Sequence, residues 1–111
     1  MGVTRKDLFT EEQNHLAEVA RALAHPARIA IIEYLLKARA CINSDLVQEL
    51  GLAQATISQH LRELKQIGLI QGTVEGPRMN YCINPLRWAE LAELFARLFG
   101  QFGNDKPDKC C

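Results

Sequence analysis

Apolar residues recur along this chain at helical spacing until about residue 70, then alternate, then return to helical spacing. Thr10 with Gln13 three residues later forms a capping box, in which each side chain satisfies the other's backbone N–H at a helix start. Leu16, Val19, Ala20 and Leu23 follow at i, i+3, i+4 and i+7 and predict an amphipathic first helix. Pro26 suits the first turn of a second helix, where its missing N–H costs nothing. Ile29, Ala30, Ile32, Leu35 and Leu36 make that helix apolar over much of its circumference, which predicts the buried centre of the domain. Asn43 and Ser44 are good caps for a short third helix carrying Leu46, Val47 and Leu50, and Gly51 stops it. A fourth helix runs from about Gln54 to Ile67, with Ile57, Leu61 and Leu64 inward and Gly68 ending it. Val74 on one side of Gly76-Pro77, and Met79, Tyr81 and Ile83 on the other, alternate as in a two-stranded hairpin. Asn84-Pro85 then opens a last helix. The pattern as a whole is mainly α with a small β-hairpin.

The third and fourth helices, joined by a glycine-containing turn, have the helix-turn-helix pattern. Opposite its apolar face the fourth helix carries Ser58, Gln59, Arg62 and Gln66, with Gln54 and Thr56 at its N-terminal end. Such a face suits a DNA major groove: Gln matches adenine N6 and N7, Arg matches guanine O6 and N7, and hydroxyls serve either bases or phosphates. Because the N-terminal residues of a recognition helix meet base edges, Gln54, Thr56, Ser58 and Gln59 are the candidate base contacts. Arg62 and Lys65 are the candidate phosphate contacts, and Arg78 at the hairpin tip is placed for a phosphate or a minor groove. His60, on the edge of the apolar face, reads as a half-buried structural histidine.

Composition narrows the function without naming it. The chain has 111 residues, 48% hydrophobic and 23% charged, as expected for one globular domain. Its 13 basic and 13 acidic residues cancel, so nonspecific attraction to polyanions is not expected, and DNA binding must come from a local surface. No apolar run approaches the roughly 18 residues a membrane span needs, and the first residues lack the apolar core of a secretory signal. The expectation is a cytoplasmic protein that does not engage membranes, with its four cysteines reduced and no disulfide framework. His15, His25 and His60 are scattered, without a Cys or acidic partner in a catalytic motif, so the chain does not read as an enzyme.

The run HPARIAIIEYLL, then SDLVQELGLAQATISQHLRELKQIGLI, then the hairpin VEGPRMNYCIN, resembles the arsenical-resistance-repressor (ArsR/SmtB) family over roughly residues 15–100. The resemblance implies a winged helix-turn-helix homodimer that represses its own operon and leaves DNA on binding a metal, a metalloid or an oxidant. It implies a dimer joined through the first and last helices; the folded domain is expected over residues 1–100, and the small, polar, Pro- and Gly-bearing stretch 101–111 reads as a flexible, cysteine-ended tail. The last helix supports a homodimer independently. Trp88, Leu91, Ala92, Phe95, Leu98, Phe99 and Phe102 form a continuous stripe, with Leu94 beside it, larger than a small core needs. The expected interface residues are Leu16 on the first helix and Leu91, Phe95, Leu98 and Phe99 on the last.

Two sensing sites of the family are missing here. One resembles Cys-x-Cys followed by Asp-Leu at the start of the third helix. In CINSDL, Asp45 and Leu46 match, but Ile42 and Ser44 replace the thiols and Cys41 is one residue off. The other uses Asp, His and Glu on the last helix, which here has no His and carries Pro85 and Arg87 near those positions. That leaves Cys41, Cys82 and the adjacent pair Cys110-Cys111. Cys82 reads as a small filler on the strand face with Asn80. Adjacent cysteines do not easily reach the roughly 5.5 Å Cα separation that disulfides favour. Cys110 and Cys111 can, however, share one soft As(III) or Sb(III) centre as inducer, with no permanent cofactor. The tail can stretch roughly 25 Å, so the third thiol is Cys41, Cys82 or one from the partner. The expected function is an operator-binding repressor released by a trivalent metalloid. A thiol-oxidation switch and a protein-interaction module without DNA binding are the alternatives.

Overall fold

The structure, a computed structural model, describes residues 6–42, 46–74 and 79–103. A short 3-10 turn at Lys6–Leu8 leads into helix α1 (Glu11–Leu23). The capping box forms: Thr10 Oγ1 accepts from the Gln13 N–H at 3.0 Å, and Gln13 Oε1 accepts from the Thr10 N–H at 2.9 Å. The inward face of α1 is Val19 and Ala22, with Leu16 and Leu23 partly buried. Ala20, expected on that face, is exposed, because the buried stripe runs through position 22 instead.

Helix α2 (Pro26–Ala38) begins on His25, whose Nδ1 accepts from the Ala27 N–H at 3.1 Å, with Pro26 in the first turn. Ile31, Ile32 and Leu35 are its buried residues. The expectation that Ile29 and Leu36 join them fails, since they are 42% and 43% exposed. Seven residues apart, they share a side of the helix beyond the edge of the buried arc. Helix α3 (Leu46–Leu50) inserts Leu46 into the core, and Gly51 follows it at φ 69°. Its expected caps, Asn43 and Ser44, lie outside the described residues. Helix α4 (Gln54–Gln66) buries Ile57, Leu61 and Leu64 at 1% exposure or less.

Strands β1 (Ile70–Thr73) and β2 (Asn80–Ile83) pair antiparallel, Ile70 opposite Ile83 and Thr73 opposite Asn80. Gly72 sits at φ 113° so close to β2 that a Cβ there would strike the Asn80 carbonyl oxygen. A third segment, invisible in the alternation, lies on the other edge of β2. Ile42 N–H donates to Tyr81 O at 2.9 Å and Tyr81 N–H donates to Ile42 O at 3.1 Å. Val74 and Met79 flank the hairpin tip and are buried; the tip itself, residues 75–78, lies outside the described residues. Helix α5 (Pro85–Phe99) starts where Asn84 Oδ1 accepts from the Arg87 N–H at 3.2 Å. Its buried residues are Leu91 and Leu94, whereas Leu98, Phe99 and Phe102 are exposed. Among the described residues no helix is long and apolar enough to cross a membrane.

The core is a single cluster from α1 to α5. Its one buried polar side chain among the described residues, His60, is 7% exposed and tied to α2. Arg28 Nε donates to His60 Nδ1 at 3.0 Å, and Arg28 Nη1 donates to the Ala22 carbonyl at the end of α1 at 3.0 Å. One guanidinium thus joins three helices, and it requires His60 unprotonated at Nδ1. Burial, then His25, then Arg28 hold the His60 pKa below its ordinary 6.5, with Glu63 opposing. A histidine whose pKa is lowered on folding binds fewer protons than it does unfolded, so stability falls as pH drops below 6.5. The urea midpoint should therefore decrease between pH 7.5 and pH 5.5. In His60→Gln, whose carbonyl still accepts from Arg28, the decrease should be smaller; equal decreases would remove His60 as the cause.

Candidate nucleic-acid interface

The burial of Ile57, Leu61 and Leu64 turns the opposite side of α4 to solvent. Gln54, Thr56, Gln59, Arg62 and Lys65 are all exposed and Ser58 is half-buried, so the structure brings six of the seven expected DNA contacts onto one surface. The seventh, Arg78, lies outside the described residues. The start of α4 is Ala53, whose side chain offers no acceptor to the first-turn N–H groups. The positive end of the α4 dipole thus carries no side-chain cap, at the end that recognition helices present to DNA.

Two of the candidates also fasten the helix to the wing formed by β1 and β2. Gln54 Nε2 donates to Ser58 Oγ at 3.2 Å and to Met79 Sδ at 3.6 Å. Lys65 Nζ donates to the Gly72 carbonyl at 2.7 Å. Lys65 therefore keeps its charge at the junction of α4 and the wing but is held by the protein, which makes its role part positioning. Arg62, Lys65 and Gln66 share an open cleft with Thr73 and Val74 between α4 and the end of β1. The acidic residue of this helix, Glu63, faces elsewhere, into a cleft with His15, His25, Arg28 and Arg87. On α4 itself, then, the two cations Arg62 and Lys65 are exposed on the side away from Glu63.

Sequence reading treated the histidines as scattered, but the fold brings two of them together: the rings of His25 and His60 lie 4.4 Å apart. Their spacing in the chain carries no signal of this, because the contact is made by the packing of α2 on α4. Arg87 stands near the positions of the family's Asp, His and Glu site on the last helix, but here its hydrogen bonds are structural. It donates from Nε to Ile67 O at 3.0 Å, and its Nη2 lies 3.2 Å from His15 Nε2, so it ties α5 to the end of α4 and to α1.

The cysteines require a correction. Cys41 and Cys82, 41 residues apart, form a disulfide with their Cα atoms 4.2 Å apart. They are therefore not both reduced thiols, Cys82 is not merely a filler, and Cys41 is no ligand while that bond holds. The Ile42–Tyr81 bridge is the cause: it sets residues 41 and 82 side by side, and nothing in the local pattern around Cys41 announced it. Cys110 and Cys111 lie outside the described residues. Among the described residues no three metal-ligating side chains cluster.

Residues 25–71 match the family model described as bacterial regulatory protein, arsR family. The uncharacterized HTH-type transcriptional regulator Rv0081 of Mycobacterium tuberculosis is 31% identical over 90 residues, 81% of this chain and 79% of that one. The chain belongs to the ArsR family. The crystal structure of that relative superposes with a TM-score of 0.60 at 28% identity, over 86% of this chain and all of the other. The HTH-type transcriptional repressor SmtB of M. tuberculosis is 41% identical over 64 residues, 58% of this chain and 47% of that one. The cadmium metal-sensor CmtR of the same organism, solved by NMR, gives a TM-score of 0.51 at 32% identity, covering 86% of this chain and 95% of that one. This ArsR-family chain is a winged helix-turn-helix, DNA-binding transcriptional repressor and not an enzyme.

For this repressor, Gln59→Ala and Arg62→Ala should each weaken operator binding by about 1–3 kcal/mol and leave the fold intact. Arg62→Ala should also flatten the salt dependence by about one counterion if it meets a phosphate. Fluorescence anisotropy against operator DNA over a salt series checks both. Wild-type affinity in the two variants would remove this face as the reader.

Proposed function

We propose that this repressor binds its operator as a homodimer and is released by a soft trivalent ion, As(III) or Sb(III), held by Cys110, Cys111 and a third thiolate from Cys41. The observation that carries the DNA reading is the exposed polar row of α4 beside the wing. Support for the inducer is chemical: paired thiolates select soft ions, and the similar CmtR is a metal sensor. Cys41 serves only after the bond to Cys82 is reduced, so metalloid release belongs to the reducing conditions of a cytoplasm.

Support for the homodimer is the apolar surface one subunit leaves uncovered. Leu98 and Phe99 at the end of α5, Phe102 beyond it, and Leu8 and Phe9 just before α1, are 47% to 73% exposed. Two ends of the chain this apolar are costly in water and point to a partner of the same kind. Leu16 and Phe95 are partly buried against the subunit's own core, and Leu91 is buried within it. The face thus rests on Leu98 and Phe99 more than on Leu91. A dimer also spaces two recognition helices about one DNA turn apart, about 34 Å. Phe99→Glu should give a folded monomer in sedimentation, with operator binding weakened at least about tenfold because the half-sites are no longer linked. A dimeric Phe99→Glu protein would place the interface elsewhere.

The Cys41–Cys82 disulfide favours a second reading, in which oxidation of these two thiols is itself the signal. Arsenite titrated into the protein–operator complex, with a phosphine reductant present, separates the two. The wild type should release DNA, with a coupling of about 1–3 kcal/mol. Cys110→Ser/Cys111→Ser should not release it. Diamide without arsenite should leave binding unchanged in the first reading and change it in the second. Release from the double variant at the wild-type arsenite concentration would show that the tail thiols are not the sensor.

A further inference from the structure

On the side of α4 where Glu63 lies, a cleft of about 660 Å³ opens between α1, the start of α2, the end of α4 and the start of α5. That volume is within the roughly 300–1,000 Å³ of small-molecule sites. Arg21, Arg28 and Arg87 line it together with His15 and His25. The ties that hold these arginines do not cancel their charge. Half-buried Arg28 donates to two neutral acceptors, His60 Nδ1 and the Ala22 carbonyl, each at 3.0 Å. Half-buried Arg87 donates to the Ile67 carbonyl and to His15 Nε2, and its ion pair with Glu90, a carboxylate 67% exposed, is long at 3.4 Å. Arg21 stands exposed on the rim. A guanidinium has five N–H donors, and these bonds take two from Arg28 and three from Arg87. Both therefore bring further donors to the cleft on guanidiniums the fold already holds in place.

We infer that this cleft binds a small organic anion through a carboxylate or phosphate group held by Arg21, Arg28 and Arg87. Paired N–H groups on a planar guanidinium match the paired oxygens of either group, and an oxyanion replaces the water that half-burial takes from the charge. Glu18 and Glu63 also stand on the wall, so the positive surplus is small. It suits a compact anion and disfavours a polyanion. A metal ion is the wrong occupant. His25, His60 and His15 each accept an N–H on one ring nitrogen, whereas a metal-bound histidine donates from the nitrogen opposite the metal. The site goes beyond the proposed operator and metalloid reading, because no cysteine and none of the expected DNA contacts lines it.

The test is isothermal titration calorimetry on the full chain at one fixed ionic strength, since salt screens arginine–anion contacts. Succinate and glycerol 3-phosphate are the probes, and they separate a carboxylate source from a phosphate source. At least one should bind once per chain with a Kd below about 1 mM, and neutral glycerol should give no heat. Arg21→Gln changes the exposed rim and leaves the bonds of Arg28 and Arg87 in place. It should weaken binding at least about tenfold, as loss of a charge-assisted hydrogen bond does. Glu63→Gln removes a like charge and should strengthen binding about threefold, a gain that mere damage to the fold would not give. Amide NMR shifts on titration should centre on Ala22, Arg28 and Ile67. Absence of saturable binding below about 1 mM for both probes overturns the site. So do wild-type affinity in Arg21→Gln, a Glu63→Gln protein that binds no better, or shifts centred on Gln59 and Arg62. No readout involves DNA or a thiol, so this result stands or falls separately from operator release.

Discussion

The burial of three side chains, Ile57, Leu61 and Leu64, orients everything that this protein presents to DNA. They sit at 1% exposure or less on one side of α4. A helix has only one opposite side, so the polar row from Gln54 to Lys65 must face out. Rotating α4 by a single residue would expose apolar area worth about 25 cal/mol per Å² and push glutamine and arginine into the core. The geometry of the reading face is therefore held by packing energy rather than by any contact of the reading residues themselves. Core and interface are one constraint seen from two sides.

Polar ties then fix what packing leaves free. Hydrophobic contact sets the face of α4 but is tolerant of sliding along its axis, whereas hydrogen bonds of fixed length are not. Arg28 links α4 to α1 and α2 through His60 and the Ala22 carbonyl, and Arg87 links its far end to α5 through Ile67. Lys65 and Gln54 link it to the wing at Gly72 and Met79. Each bond is worth only about 0.5–1.5 kcal/mol net, somewhat more where a charge takes part. Their value lies in direction: they locate the recognition helix against every neighbour that moves with it.

This division explains what could be read from the sequence. Helix ends were legible because caps are local: Thr10 with Gln13 and Asn84 with Pro85 at starts, and Gly51 and Gly68 at stops, each act within a few residues. The inward face of α4 was legible because its period is clean. Helix α2 was misjudged at Ile29 and Leu36 because a nearly all-apolar helix has little periodicity to say which arc is covered. The His25–His60 contact and the disulfide were not legible at all. Both join residues far apart in the chain through tertiary pairing, and the Ile42–Tyr81 bridge that makes the disulfide is two backbone bonds with no sequence preference.

That same bridge brings sulfur chemistry close to the reading face. Cys82 lies opposite Gln71 on β1, the next residue is Gly72, and the Gly72 carbonyl holds Lys65 of α4. Proximity of this kind supplies a route but no force. Chemistry at the cysteines alters DNA affinity only as far as the wing sits differently in the two sulfur states, and by no more than the difference in free energy between them. Gly72 is a position on that route with no room for a side chain. Only glycine fits at this φ of 113°, because a Cβ there would strike the Asn80 carbonyl oxygen. Gly72 thus lies on the short path between the sulfurs and the recognition helix.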